Sequence, residues 1–156
     1  MNAIRMTLTA VVLTTGAALL PSVSHAVDKA CQLEIAGNDL MQFDKKELSV
    51  PASCKEVQLT LKHAGKLPKE AMGHNWVLVK TPDLGAVANS GMSAGLQNSY
   101  VAEGDKRVLA HTKVVGGGES VTITFSTAPL KAGEPYSYLC TFPGHNSVMR
   151  GTFKFG

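Results

Sequence analysis

The densest chemistry in the chain lies in Cys140-Thr-Phe-Pro-Gly-His145-Asn-Ser-Val-Met149. A thiolate, an imidazole and a thioether fall within this short stretch, and Pro143-Gly144 supplies a turn able to fold them around one point. All three are soft or borderline donors, which favour a thiophilic metal over magnesium or calcium. A trigonal set needs a second imidazole. His74, in Met72-Gly73-His74-Asn75-Trp76, stands just before an apolar run, where a loop residue can reach such a site. Two imidazoles, a thiolate and a weak axial Met make up the ligand set of blue-copper electron-transfer centres. Each residue alone has a bland reading: a Met near a strand end belongs to a core, and a single His to a surface. The combination is what points to copper.

The elements that must hold these donors read as strands. Residues 31–36, 57–62, 76–80, 108–114, 120–127, 136–142 and 151–155 carry β-branched or aromatic side chains, several in alternation. Val121-Thr122-Ile123-Thr124-Phe125 alternates strictly, as in a sheet with one wet face. Gly37-Asn38-Asp39, Gly116-Gly117-Gly118 and Lys131-Ala132-Gly133 mark turns between runs. This spacing predicts a single all-β sandwich or barrel over residues 27–156. One stretch departs from it: residues 83–100 are rich in Ala, Gly, Ser and Asn, with Leu84, Val87, Gly91 and Gly95 at near-helical spacing, and a short helix outside the sheets is expected there.

The first 26 residues do not belong to that fold. One Arg at position 5 precedes an almost wholly apolar run from Met6 to Leu20, and Ser24-His25-Ala26 ends in a small-x-small pattern. Residues 1–26 are expected to be a secretory signal cleaved after Ala26. The apolar run is short for a membrane span, and Pro21 closes it. Asp28-Lys29-Ala30-Cys31 lacks the Leu that a lipid-anchored version would need, so no membrane anchor is expected.

In an exported chain, three cysteines read as one pair and one left over. Cys31 and Cys54 are expected to pair in an oxidising compartment, leaving Cys140 as a buried or functional thiol. The formal net charge is +3, and no run of basic residues exceeds Lys45-Lys46. Nucleic acid and anionic membrane surfaces therefore find little electrostatic support as partners.

Together these residues resemble the cupredoxins. The likeness runs from Cys31-Gln-Leu-Glu-Ile-Ala-Gly-Asn-Asp and Met41-Gln-Phe, through Met72-Gly-His-Asn-Trp-Val-Leu-Val and Ala110-His-Thr-Lys, to Cys140-Thr-Phe-Pro-Gly-His. The resemblance implies an eight-stranded Greek-key β-sandwich with one short flanking helix, a Cys31–Cys54 disulfide and a periplasmic location. It implies one copper per chain on His74, Cys140, His145 and Met149, with the Gly73 backbone carbonyl as a weak axial neighbour. The amides of Asn75 and Phe142 are expected to hydrogen-bond the Cys140 sulfur, and the Asn75 side chain to tie the two ligand loops together. Met41, Leu67, Met72, Phe142, Pro143, Gly144 and Val148 match an apolar docking patch for redox partners such as c-type cytochromes or periplasmic reductases and dehydrogenases, bound transiently. His63 matches a buried histidine near the site, and a packed core imidazole is an equally good account of it. His111 reads as a surface histidine with no ligand role.

Two other functions fit less well. Zinc on Cys140, His74 and His145 with a water would permit hydrolysis. Met149 is a poor neighbour for zinc, however, and no carboxylate accompanies the ligand motifs as a base. A copper-storage protein would cluster its Met residues; here the six are dispersed, with Met1 and Met6 in the signal. The expectation is an electron carrier, not an enzyme.

Overall fold

Val57, Leu59 and Leu61 point inward along β4 (Glu56–His63) while Glu56 and Lys62 face solvent. Such alternation gives a strand one apolar face to bury. A computed structural model describes residues 27–156; the expected signal at 1–26, with its cleavage point, lies outside the described residues. β4 pairs in parallel with β1 (Gln32–Asn38) and antiparallel with β7 (Ser120–Ser126), and β2 (Gln42–Phe43) continues that sheet beyond β1. The order is β2-β1-β4-β7.

The second sheet has the order β3-β9-β8-β5-β6, with β3 (Glu47–Val50), β5 (Val77–Lys80), β6 (Val108–His111), β8 (Tyr136–Leu139) and β9 (Arg150–Phe155). Its inner face meets the first across Ile35, Leu59, Leu61, Trp76, Leu78, Tyr138 and Phe153, all fully buried. Each contributes about 1.5–3 kcal/mol by leaving water. The expected sandwich is present. The described residues contain nine strand segments; β2 and β3 are successive halves of one stretch that crosses between the sheets, and counted as one bent strand they give the expected eight.

The expected helix is α2 (Leu84–Ala94), flanked by single 3-10 turns. It lays Val87, Ala88 and Gly91 on a second apolar cluster with Val77, Val79, Val101 and Leu139. Gly91 is required there, because a Cβ would collide with the Tyr100 carbonyl. A further single-turn helix, α1 (Lys69–Met72), was not signalled by the sequence.

Two expected strands stop early, and both stops serve the site. The run over 108–114 leaves its sheet after His111, where Thr112 pairs with Trp76 by N–H to carbonyl at 2.9 Å and by Oγ1 to the Trp76 amide at 2.9 Å. The run over 136–142 leaves after Leu139, and Cys140 begins a loop. At the opposite end of the sandwich, Cys31 and Cys54 form a disulfide with Cα atoms 5.7 Å apart, as the cysteine arithmetic predicts. Closing that loop stabilises by about 3 kcal/mol on the chain-entropy account.

Candidate metal centre

Three side chains from two loops meet at one end of the sandwich. His74 is pinned by a pair of backbone hydrogen bonds with Val115, at 3.0 and 2.8 Å, so its position is set by a short ladder rather than by a free loop. Its Nε2–H donates to the Asn38 carbonyl at 2.9 Å, which leaves Nδ1 with a bare lone pair. His63 stacks flat on its ring, with centroids 4.4 Å apart. The Gly65 amide donates to His63 Nδ1, so the proton of that ring sits on Nε2 and is given to the Met72 carbonyl at 2.8 Å. His63 thus packs beside the ligand with both ring nitrogens hydrogen-bonded, and His111 is exposed.

The other donors come from the loop after β8. Gly144 adopts φ +83°, the left-handed conformation that a side chain disfavours, and the chain turns back on itself. The His145 amide reaches the Phe142 carbonyl at 3.0 Å, the Met149 amide reaches the His145 carbonyl at 2.8 Å, and the Cys140 amide closes the loop on the Met149 carbonyl at 2.9 Å. Cys140, His145 and Met149 are thereby brought to one place, all buried. His145 Nδ1 stands 3.3 Å from His74 Nδ1 and 3.7 Å from Cys140 Sγ. All three donor atoms lie within 4.8 Å of one another.

Met149 and Gly73 frame this trio. A Cβ on Gly37 would lie 2.6 Å from the His74 ring and 3.2 Å from the Met149 terminal methyl, so ring and thioether end converge on the same glycine. The Gly73 carbonyl faces the His74 ring closely enough to favour its protonated form. Gly73 itself admits no side chain, since a Cβ would strike the Lys69 carbonyl and Val114.

Electrostatics prepare these groups for a cation. Burial drives the His74 imidazole down to about 4, aided by His63 and His145, against the carbonyls of Asn38 and Gly73, so the ring is neutral and ready to coordinate at physiological pH. Burial also lowers His145. The Cys140 thiol is pushed up to about 12 by burial, while the Asn75 and Phe142 amides donate to its sulfur and favour the thiolate. Metal must therefore displace that proton. Two imidazoles and a thiol with no carboxylate among them suit a soft or borderline ion and give a hard one nothing to bind.

The residues expected to form an apolar docking face differ in exposure. Met41, Leu67 and Val148 are 37%, 42% and 48% exposed. Pro143 and Gly144 are exposed and Met72 is half-buried. Phe142 lies beneath them, buried against Tyr100 and His145. Leu40, next to Met41, is at 73% the most exposed large apolar side chain among the described residues and lies outside that expectation. It follows Asn38-Asp39, which reads from sequence as nothing more than a turn.

A two-sheet sandwich with a buried Cys and two His gathered in the loops at one end defines a cupredoxin-type metal site. Residues 29–156 match the family described as copper binding proteins, plastocyanin/azurin family. The chain is 55% identical over 140 residues to the azurin of Bordetella pertussis, covering 89% of this chain and 93% of that one. It is 56% identical over 124 residues to azurin-1 of Alcaligenes xylosoxydans xylosoxydans, covering 80% and 96%. Among solved structures it is similar to the azurin Az-iso2 of the obligate methylotroph Methylomonas sp. strain J, with a TM-score of 0.78 and 45% identity over 81% of this chain and 98% of that one. The chain belongs to the plastocyanin/azurin family of copper-binding proteins.

Proposed function

We propose that this protein is a periplasmic type 1 copper protein, not an enzyme, that shuttles single electrons between redox partners by alternating Cu(II) and Cu(I) at one site per chain. The observation that carries this reading is the gathering of His74 Nδ1, Cys140 Sγ and His145 Nδ1 within 4.8 Å. Met149 and the Gly73 carbonyl would complete the donor set around a copper ion held by these three side chains. Copper bound there supplies a one-electron couple whose potential responds to the axial ligand and to hydrogen bonding at the Cys sulfur.

The residues supply rigidity. Asn38 and Val115 fix His74, the Cys140–Met149 backbone bond fixes the second loop, and the Asn75 and Phe142 amides support negative charge on sulfur. A site held this firmly changes little between oxidation states, which keeps the reorganisation cost of electron exchange low. Storage or hydrolysis would need a cluster of spare soft ligands or an open position with a base, and neither accompanies this trio.

Docking over Met41, Leu67, Met72, Pro143, Gly144 and Val148, with Phe142 beneath, suits brief contact through a small apolar interface. Partners of that kind are c-type cytochromes or periplasmic reductases and dehydrogenases. The leader pattern at 1–26 and the Cys31–Cys54 disulfide support an oxidising, exported location. No helix among the described residues is long and apolar enough to cross a membrane.

The test is a spectroelectrochemical titration of the copper-loaded protein. One electron per copper, with reversible bleaching and recovery over repeated cycles, is the expected result. Irreversible loss of colour or metal on reduction contradicts the carrier reading.

A further inference from the structure

The carbonyl that orients His74 belongs to a residue whose side chain does separate work. Asn38 stands at the end of β1, paired with Gln42 across the tight connection to β2. Its Oδ1 accepts from the Leu40 amide at 3.0 Å and from the Gln42 amide at 3.2 Å. Its own carbonyl accepts from the Met41 amide at 3.1 Å as well as from His74 Nε2–H at 2.9 Å. Met41 sits at φ +54°, a left-handed conformation that a non-glycine residue holds only when its surroundings enforce it. The side-chain cap satisfies the two amides flanking that strained residue, as Asn does in Asx-turns. The turn therefore has two ends. One exposes Leu40 and Met41 at the surface, and the other presents the oxygen that decides which His74 nitrogen is free.

We infer that Asn38 is a positioning residue for the metal site: its side-chain amide oxygen locks the Asn38–Gln42 turn, and through it the direction in which the His74 imidazole offers Nδ1. Without the cap, the Leu40 and Gln42 amides lose their partner, Met41 is released from its left-handed conformation, and the Asn38 carbonyl is no longer held against His74. The competing account is that the β1 ladder alone fixes that carbonyl, making the side chain a surface ornament. The inference rests on His74 being a copper ligand.

The experiment measures hydrogen exchange of the His74 Nε2 proton by NMR in the diamagnetic copper(I) protein, with the Val115 amide, which donates to the His74 carbonyl, as internal reference. In Asn38→Ala the His74 proton is expected to exchange about ten-fold faster relative to Val115, the effect of losing two side-chain-to-backbone bonds. Asn38→Asp, which keeps the acceptor oxygen, is expected to stay within about three-fold of the unmodified protein. A general loss of stability moves both protons together and leaves their ratio unchanged. An unchanged ratio in Asn38→Ala overturns the inference, as does a ratio raised equally in Asn38→Asp.

Should Asn38→Ala fail to fold, the unmodified protein decides the matter. The His74 Nε2 proton and the Leu40 and Gln42 amides are expected to share one opening event. Protection of His74 more than about a hundred-fold beyond both amides overturns the inference, because the turn then opens without freeing the ring. Absence of any blue copper species in the unmodified protein instead marks failure of the copper reading itself.

Discussion

Asn75 and Thr141 clasp each other twice: Asn75 Nδ2 donates to Thr141 Oγ1 at 2.7 Å, and Asn75 Oδ1 accepts the Thr141 amide at 2.8 Å. The same Nδ2 donates to the Ser99 carbonyl at 2.7 Å, where Ser99 and Tyr100 both hold left-handed φ angles of 55° and 52°. One buried amide thus joins the residue after His74, the residue after Cys140 and a strained turn whose Tyr100 packs edge-on against Phe142. β5 and β8 pair directly up to Val77 and Leu139, and the clasp ties the two ligand loops together just beyond the end of that ladder.

Asn75→Leu removes all three bonds while keeping the side-chain volume, and leaves buried polar groups of Thr141 and Ser99 unpaired. The expected loss is about 2–4 kcal/mol of stability, with weaker copper retention. Denaturant unfolding of metal-free and loaded protein checks it, and a loss below about 0.5 kcal/mol contradicts the clasp.

Copper loading at neutral pH should release about one proton per metal ion, because burial keeps Cys140 protonated up to about 12 whereas His74, lowered to about 4, is already neutral. Potentiometric titration in weak buffer reads the number directly. In Cys140→Ser the release should vanish; its persistence would place the displaced proton elsewhere.

Metal-free protein should lose stability as pH falls through the window from 6.5 to about 4 on account of His74. The sign follows from its lowered folded value: between those limits the unfolded chain binds a proton that the folded chain refuses, so unfolding is favoured as pH drops. The contribution is fully present above the unfolded value and gone below the folded one. Thermal melts from pH 7 to 4 on unmodified and His74→Gln proteins isolate it. The variant should show the flatter profile, and parallel profiles contradict the assignment.

Met72→Lys places a charge on the half-buried rim of the apolar face without touching a donor atom. Electron exchange with a redox partner should slow by about ten-fold or more while the copper spectrum stays the same. An unaltered rate removes this face from the docking account.

Much of this architecture was legible because its signals are local. The strict alternation from Val121 to Phe125 could only be a half-wet strand, and the Cys140 to Met149 string carried its own chemistry. What escaped was set by long-range contacts. Gln42–Phe43 and Glu47–Val50 are too short to read as strands, with the charged Asp44-Lys45-Lys46 between them, and they form because β1 and β9 offer them partners. Residues 112–114 look like more of β6 but are drawn off by Trp76 and by the turn toward His74. The roles of Asn38 and Gly73 rest on backbone carbonyls, which no side-chain pattern reports. Gly73 is expected only through the family likeness, and Asn38 reads from sequence as a turn residue.

The central claim is that His74, Cys140 and His145 hold one copper in a thiolate-bonded site. Titrating the purified protein with copper(II), followed by visible absorption and electron paramagnetic resonance, tests it most directly. Intense blue colour saturating at one copper per chain, a narrow hyperfine splitting, and loss of both in Cys140→Ser are the predicted results. A folded protein with reduced Cys140 that takes up copper without any blue species would contradict the account.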